Sequence, residues 1–276
     1  MYLITGATGN VGSELVRALA DEGQQLRALT RDGASDRLPA GVPQVAGDLN
    51  DPESLRPALA GARAMFLMPG YQGAAQTLQY ARAAGVEHVV QLSGSSVLST
   101  DTSNFISTYM LQAEADAKSS GLTWTIIRPY AFMSNTLQWI PQLKAGDVVT
   151  APFAEVRQAV TDPSDIAAVA ALALTGQGHA GKTYPVTGPQ SLLPADRLRI
   201  LAGVLGRNLE LRPQPDDEAR AQMSATTPEK YVASFFSFYA EGTLDESVPL
   251  STVADLTGQP PRTFEQWVRR HTAAFA

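Results

Sequence analysis

The residues with the clearest chemical meaning lie near the amino terminus, in the run Thr5-Gly6-Ala7-Thr8-Gly9-Asn10-Val11-Gly12. A short apolar stretch precedes it, and Val11, Leu15, Ala18 and Leu19 carry on from it along one face of a helical pattern. In that setting Gly6 permits a tight turn, Gly9 lets the backbone approach a pyrophosphate, and Gly12 allows close packing of helix on strand. Amides exposed at the helix start, with the positive end of its dipole, suit phosphate oxygens. Gly6, Thr8, Gly9, Asn10, Val11 and Gly12 are therefore expected to bind a dinucleotide. A strand–helix turn without a ligand is the competing account.

Arg31 stands 19 residues beyond Gly12, at the end of the second strand candidate. An acidic side chain there would accept hydrogen bonds from a ribose hydroxyl, whereas an arginine accommodates a 2′-phosphate. Asp32 follows at once and supports the opposite choice, and a surface pair of Arg31 with Asp32 or Asp36 would have no binding role. Arg31 ends the strand directly, which favours NADP(H) over NAD(H). Asp48, in Gly47-Asp48-Leu49 after the third strand, stands either near an adenine amine or as the cap of the next turn. Leu49, Met68 and Pro69, after the third and fourth strands, complete the expected cofactor contacts on this side.

The elements that must position these residues follow from the pattern of apolar runs. Strand candidates are residues 2–5, 25–30, 43–46, 64–68, 88–92 and 123–128, separated by helical spacings. Such alternation implies parallel pairing through right-handed crossovers, hence an α/β fold with a doubly wound, Rossmann-like sheet. Ser93, Ser95 and Ser96 follow the fifth strand, at the carboxyl edge where a ligand lies. A hydroxyl there can hydrogen-bond a carbonyl oxygen, or simply shape a turn. His88, at the start of that strand, reads as structural. Tyr130, after the sixth strand, is expected to face the nicotinamide side of the cleft. Phe132, Met133 and Trp139 line a cleft wall or fill a core.

Asp51-Pro52 and Asp162-Pro163 read as helix starts, with Pro57 ill placed inside the first helix. Beyond residue 134 the pattern loosens. Residues 1–134 are expected to form the dinucleotide-binding core, and residues 135–276 a small, mostly helical substrate lobe with segments returning to the core. The run Phe235-Phe-Ser-Phe-Tyr239 in that lobe reads first as a buried helix and second as a pocket wall.

Composition narrows the function. The 276 residues carry 21 Lys and Arg against 27 Asp and Glu, a net charge of −6, which argues against nucleic acid. Cysteine is absent, and His88, His179 and His271 are too scattered to suggest a metal site. No apolar run reaches the roughly 18–20 residues of a membrane span, and the sequence opens without a signal-peptide pattern. A cytoplasmic protein acting on a small molecule is the expectation.

The sequence resembles the NmrA-like branch of the atypical short-chain dehydrogenases and reductases. The resemblance is carried by TGATGNVG at residues 5–12, LTRD at 29–32, AGDLND at 46–51, SSGLTWTIIRPYAFMSN at 119–135, TDPSDIA at 161–167, YPVTGP at 184–189 and the terminal PRTFEQWVRRHTAAF. It implies a Rossmann-like domain binding NADP(H) and a small carboxy-terminal lobe closing a substrate cleft. Members include quinone, enone and aromatic ether reductases, and cofactor-binding regulators with little or no catalysis. Short-chain dehydrogenases pair a tyrosine with a lysine four residues later; the lysine lowers the tyrosine pKa and holds the nicotinamide ribose. Here Tyr109 is followed at that distance by Ala113. Aligning Glu114 with the glutamate of relatives puts Met110 where many carry Lys or His, and Ile106 at the tyrosine position.

The combined expectation is an NADPH-dependent reductase of an apolar carbonyl, quinone or enone that lacks the tyrosine–lysine pair. Tyr109, Ser93 and Ser95 are its candidate catalytic residues. The alternative is a non-catalytic NADP(H)-binding sensor or regulator. The expected partner is a small apolar or aromatic substrate, with a homodimer allowed and neither nucleic acid nor membrane involved.

Overall fold

Parallel strands covered on both faces require nearly continuous apolar runs. The chain supplies them in β1 (Tyr2–Ile4), β2 (Leu26–Thr30), β3 (Gln44–Ala46), β4 (Ala64–Leu67), β5 (His88–Leu92) and β6 (Thr123–Pro129). Of the later strands, β7 (Val148–Ala151) lies apart, β8 (Lys182–Val186) joins the first six, and β9 (Glu210–Pro213) pairs with β7. This computed structural model describes residues 1–275; residue 276, the last of the expected lobe, lies outside the described residues. The main sheet runs β3-β2-β1-β4-β5-β6-β8 and is parallel throughout. Its order reverses between β1 and β4, so the crevice beyond their carboxyl ends is where an open α/β sheet binds its ligand.

The helices are α1 (Asn10–Asp21), α2 (Arg56–Leu59), α3 (Ala74–Ala83), α4 (Phe105–Ser119), α5 (Ile140–Ala145) and α6 (Pro163–Thr175). Beyond them come α7 (Pro194–Leu205), α8 (Asp216–Ser224), α9 (Glu229–Tyr239), α10 (Thr252–Thr257) and α11 (Phe264–Arg270). On one face of the sheet, α1 and α6 bury Ile4, Leu15, Phe66, Val90, Ile127 and Ile166 in one core. The opposite face buries Leu3, Leu29, Leu59, Met65, Leu78 and Val89. A third core, around Met133, Trp139, Leu198, Leu201, Phe264 and Trp267, belongs to the later half of the chain. That half also contributes to the first layers, since α6 packs on α1 and β8 pairs with β6.

The two proline-marked starts turn out differently. The Asp162 carboxylate accepts from the Ser164 amide at 2.8 Å and opens α6. The Asp51 side chain caps nothing; its carbonyl accepts from the Ser54 amide and hydroxyl instead, and residues Pro52–Leu55 form a 3₁₀ turn. Pro57 then falls in the first turn of α2, where its missing N–H leaves no bond unmade. The expected single helix is thus a 3₁₀ turn followed by a short α-helix, and the proline marks the junction.

Glu114 fixes α4 to the sheet. Its buried carboxylate accepts from Ser93 at 2.7 Å, from both Nε and Nη2 of Arg128 at 2.7 Å, and from Lys118 at 3.2 Å. Burial pushes the Glu114 pKa up, but the Arg128, Ser93 and Lys118 contacts outweigh it and hold the carboxyl below its ordinary value. A depressed carboxyl stabilises the fold above its unfolded pKa, and that contribution is lost as pH falls through the folded value. Arg128→Met should therefore cost about 1–3 kcal/mol at neutral pH, since it removes the two charge-assisted bonds and leaves Glu114 with Lys118 and Ser93 alone. Urea unfolding checks this, and adding Glu114→Gln to the Met variant should recover part of the loss. Acid titration of the parent should show destabilisation in the carboxylate range that Glu114→Gln flattens.

Candidate functional site

The first turn of α1 presses directly on the loop that leaves β1. Gly6 adopts φ +59°, a left-handed conformation that suits glycine, and a Cβ there would meet Met68 Cγ at 2.5 Å. A Cβ on Gly12 would overlap the Gly6 carbonyl oxygen, so only glycine lets the helix start so close to the strand. Gly9 is the N-cap residue of α1, and its amide donates to the Gly6 carbonyl at 2.9 Å. The amides of the helix's first turn lack helical acceptors, as at any helix start.

A cleft of about 600 Å³ opens from this loop across the carboxyl ends of β1 to β4. Of the expected cofactor residues, Gly6, Thr8, Gly9, Arg31, Asp48, Leu49 and Met68 line it. Gly12 and the side chain of Val11 are buried against the core, which leaves Val11 its backbone for any ligand. Asp48 accepts from the Asn50 amide at 2.9 Å, so it shapes a turn while facing the cleft. Arg31 forms no ion pair with Asp32 or Asp36 among the described residues, and neither does Arg37. Sequence reasoning missed Ser35 and Arg37, which share the cleft wall with Arg31. The available signal was a second arginine in the loop after β2. The buried hydroxyl of Thr30, also on this wall, has no protein partner. A glycine cradle, an orphaned hydroxyl and two free guanidinium groups fit a phosphorylated dinucleotide.

A second cavity, about 640 Å³, lies between the η segment Met133–Trp139 and the helices of the later half. Trp139, Phe153, Phe235 and Tyr239 supply aromatic walls, and Arg197 is its one ionised cation. Ser134 on this wall accepts from the Asn10 side chain at 3.1 Å, so the cavity adjoins the glycine loop. Met133 is in the third core, Phe132 packs against the core beneath α1 and α6, and Trp139 reaches the cavity. The aromatic run on α9 divides: Phe236 and Phe238 are buried in cores, while Phe235 and Tyr239 line the cavity. Phe153 takes φ 54°, a strained conformation for a bulky residue that costs about 1–3 kcal/mol. No sequence signal marks it.

The hydroxyls after β5 are largely occupied. Ser93 donates to Glu114 at 2.7 Å, and Ser95 donates to the buried Glu246 at 2.5 Å. Glu246 also accepts from the Ala131 amide, Gln158 and Tyr239, a gathering point that sequence reasoning did not foresee. Ser96 keeps a buried hydroxyl without a partner. Tyr109 lies over Gly70 after β4, its Cε2 3.6 Å from where a Cβ would stand, and Met110 lies over Gly94 after β5 at 3.7 Å. Burial, with Tyr231 nearby, pushes the Tyr109 phenol pKa up. Tyr130 is buried, and its amide donates to Val186 at 2.9 Å; neither it nor Pro69 lines the two cavities. His88 bonds Thr125 at 3.0 Å at the amino edge of the sheet, far from this chemistry. No group of His, Cys, Asp and Glu among the described residues could hold a metal ion, and no helix is long and apolar enough to cross a membrane.

Comparison with known proteins agrees with this geometry. A family model described as NAD(P)H-binding matches residues 6–176. The chain is 38% identical to the (4-alkanoyl-5-oxo-2,5-dihydrofuran-3-yl)methyl phosphate reductase of Streptomyces griseus, covering 100% of this chain and 99% of that protein. It is 35% identical to the NAD(P)H azoreductase of Xenophilus azovorans, with the same coverage. Among solved structures, the NADPH complex of an NADPH-dependent quinone oxidoreductase from Escherichia coli superposes with a TM-score of 0.82 at 22% identity. That match covers 99% of this chain and 100% of the other, and shows a shared fold.

The two glycines should separate by experiment. Gly12→Ala should cost about 1–3 kcal/mol in urea unfolding, because the added methyl has no room beside the Gly6 carbonyl. Gly9→Val should keep the fold by circular dichroism yet lose NADPH and NADH binding in fluorescence titration.

Proposed function

We propose that this chain, which belongs to the NAD(P)H-binding family and is an NAD(P)H-dependent oxidoreductase, uses NADPH to reduce a small, largely apolar molecule with a conjugated carbonyl, such as an enone or quinone. The observation that carries this reading is the adjacency of the two cavities at the Asn10–Ser134 hydrogen bond. A molecule in the aromatic cavity lies beside a dinucleotide held at the glycine loop. The names of the two full-length relatives, a reductase of an oxo-dihydrofuran and an azoreductase, support an electron-poor conjugated acceptor.

In this reading the first-turn amides of α1 hold the pyrophosphate, while Arg31 and Arg37 hold the 2′-phosphate. Bound NADPH supplies a hydride. The acceptor takes it at an electrophilic carbon, and the oxygen that gains charge takes a proton. Of the expected donors we assign this task to Tyr109. The Ser93 and Ser95 protons are committed to carboxylates, whereas no protein group among the described residues bonds the Tyr109 hydroxyl. It is a phenol at neutral pH, with a proton to donate. Met110 offers only a thioether, so the nicotinamide ribose is held without the usual ammonium.

Two measurements test the assignment. NADPH should bind more tightly than NADH, and Arg31→Ala should lower NADPH affinity selectively, by roughly tenfold to a hundredfold for one charge-assisted contact. Equal affinities in the parent would remove the NADPH assignment. Single-turnover NADPH oxidation with an enone or quinone should slow by roughly a hundredfold in Tyr109→Phe. A full rate in that variant, with loss in Ser96→Ala or Ser95→Ala, would move the donor to β5. An inert parent made active only by Met110→Lys would mark a binder that lacks its own chemistry.

A further inference from the structure

Arg197 is an unusual arginine. It sits near the start of α7, is 8% exposed, and lines the second cavity. Among the described residues its side chain donates no hydrogen bond and joins no ion pair, and its buried Nε is without a partner. The guanidinium lies 5.6 Å from the centroid of the Trp139 ring, an apolar flank. Neighbouring carboxylates are engaged elsewhere. Asp196 bonds the Leu193 amide and pairs with Arg157 and Arg199. Glu246 is filled by Ser95, the Ala131 amide, Gln158 and Tyr239. Burial lowers the Arg197 pKa to about 10, partly offset by Tyr239 and Glu246, so the group remains charged at neutral pH.

Leaving a buried charge unpaired costs stability, because desolvation is not repaid by a partner. A positive charge with open donors, turned into a cavity that no carboxylate lines, is complementary to an oxyanion. The side-chain amides of Asn135 and Gln138, which line the same cavity, form no hydrogen bond among the described residues and are able to donate to a ligand there. We propose that Arg197 anchors an oxyanion borne by the substrate, a phosphate monoester or a carboxylate, so that the conjugated carbonyl at the molecule's other end faces the cofactor. The proposal rests on the reductase reading and refines its substrate class to an amphipathic molecule with an apolar, reducible body and one anionic end.

The test uses the full chain with NADPH and a set of aryl enones that differ at one position, carrying a neutral methyl ester, a carboxylate or a phosphate monoester. An anionic member should show the highest kcat/KM, and which one leads identifies the oxyanion. Arg197→Met should shrink the ratio of anionic to neutral kcat/KM by roughly tenfold to a hundredfold, chiefly through KM, and Arg197→Lys should restore part of it. A ratio unmoved by the Met variant would overturn the anchor. Removal of an unpaired buried charge should also raise Tm. A fall in Tm together with equal losses on all three compounds would mark Arg197 as structural and refute the proposal. If no enone in the set is reduced, the reductase reading fails for this class while the anchor is judged separately. Calorimetric titration with phenyl phosphate and benzoate should then give saturable binding that Arg197→Met abolishes; no binding would refute it.

Discussion

The contact between the start of α1 and the turn after β1 sets the geometry of both cavities. Because Gly12 carries no side chain, the helix begins against the Gly6 carbonyl and its first-turn amides point beyond the sheet's carboxyl edge. That placement is not local in its support. The buried stripe of α1, Val11, Leu15 and Leu19, packs in a core to which α6 contributes Ile166 and Ala170, from the later half of the chain. Asp162 and Asp165 on α6 are in turn paired with Arg270 and Arg262 near the carboxyl terminus. The glycine loop is therefore held by residues from both ends of the sequence. Loss of the later half would remove the backing of the loop as well as the aromatic cavity.

Charge is distributed with a consistent logic. The buried carboxylates are satisfied: Glu114 by Arg128, Ser93 and Lys118, and Glu246 by four donors. Among the described residues the arginines that line the cavities, Arg31 and Arg37 in one and Arg197 in the other, form no ion pair. In a chain with a net charge of −6, the first cleft sets Arg31 and Arg37 beside Asp32 and Asp48, whereas the second cavity is lined by Arg197 and no carboxylate. In a cleft with low-dielectric walls such groups attract anions more strongly than exposed charges do. For Arg31 and Arg37, both exposed, desolvation by the bound molecule supplies much of that gain; for Arg197 the protein has already removed the water.

The sheet was legible because a parallel strand writes its burial into consecutive residues. Residues 88–92 match β5, and the other five candidates differ from β1, β2, β3, β4 and β6 by one residue at an end. The glycine loop was legible because each glycine answers a distinct steric demand. Other features depend on contacts remote in sequence. Ser95 looked available until Glu246, 151 residues on, was seen to accept its proton. Arg197 carries no signal in the sequence, since nothing local reveals which face of α7 meets a cavity. Asp51 and Pro57 mislead for a local reason: a 3₁₀ turn and a short helix in series imitate one interrupted helix. Arg37 was within reach, as a second cation in the loop that already held Arg31.

The missing lysine also bears on the kind of acceptor the site can reduce. Tyr109 is half-buried, with its pKa raised by desolvation and by Tyr231, and no ammonium stands one helical turn away to lower it. Such a phenol donates a hydrogen bond readily but gives up its proton reluctantly. Hydride addition to an isolated ketone leaves a strongly basic alkoxide, whose formation in a partly apolar cleft requires prompt protonation. Hydride addition to an enone or a quinone leaves an enolate or a hydroquinone anion, with the charge delocalised and the demand on the donor smaller. A hydrogen bond from Tyr109 can stabilise that anion as the phenol passes its proton on. The same departure from the usual pair that weakens the case for simple carbonyl reduction therefore fits conjugated acceptors. With the demand on the donor reduced, positioning carries more of the barrier, and in the proposed reading that task falls to the aromatic cavity and its lone arginine.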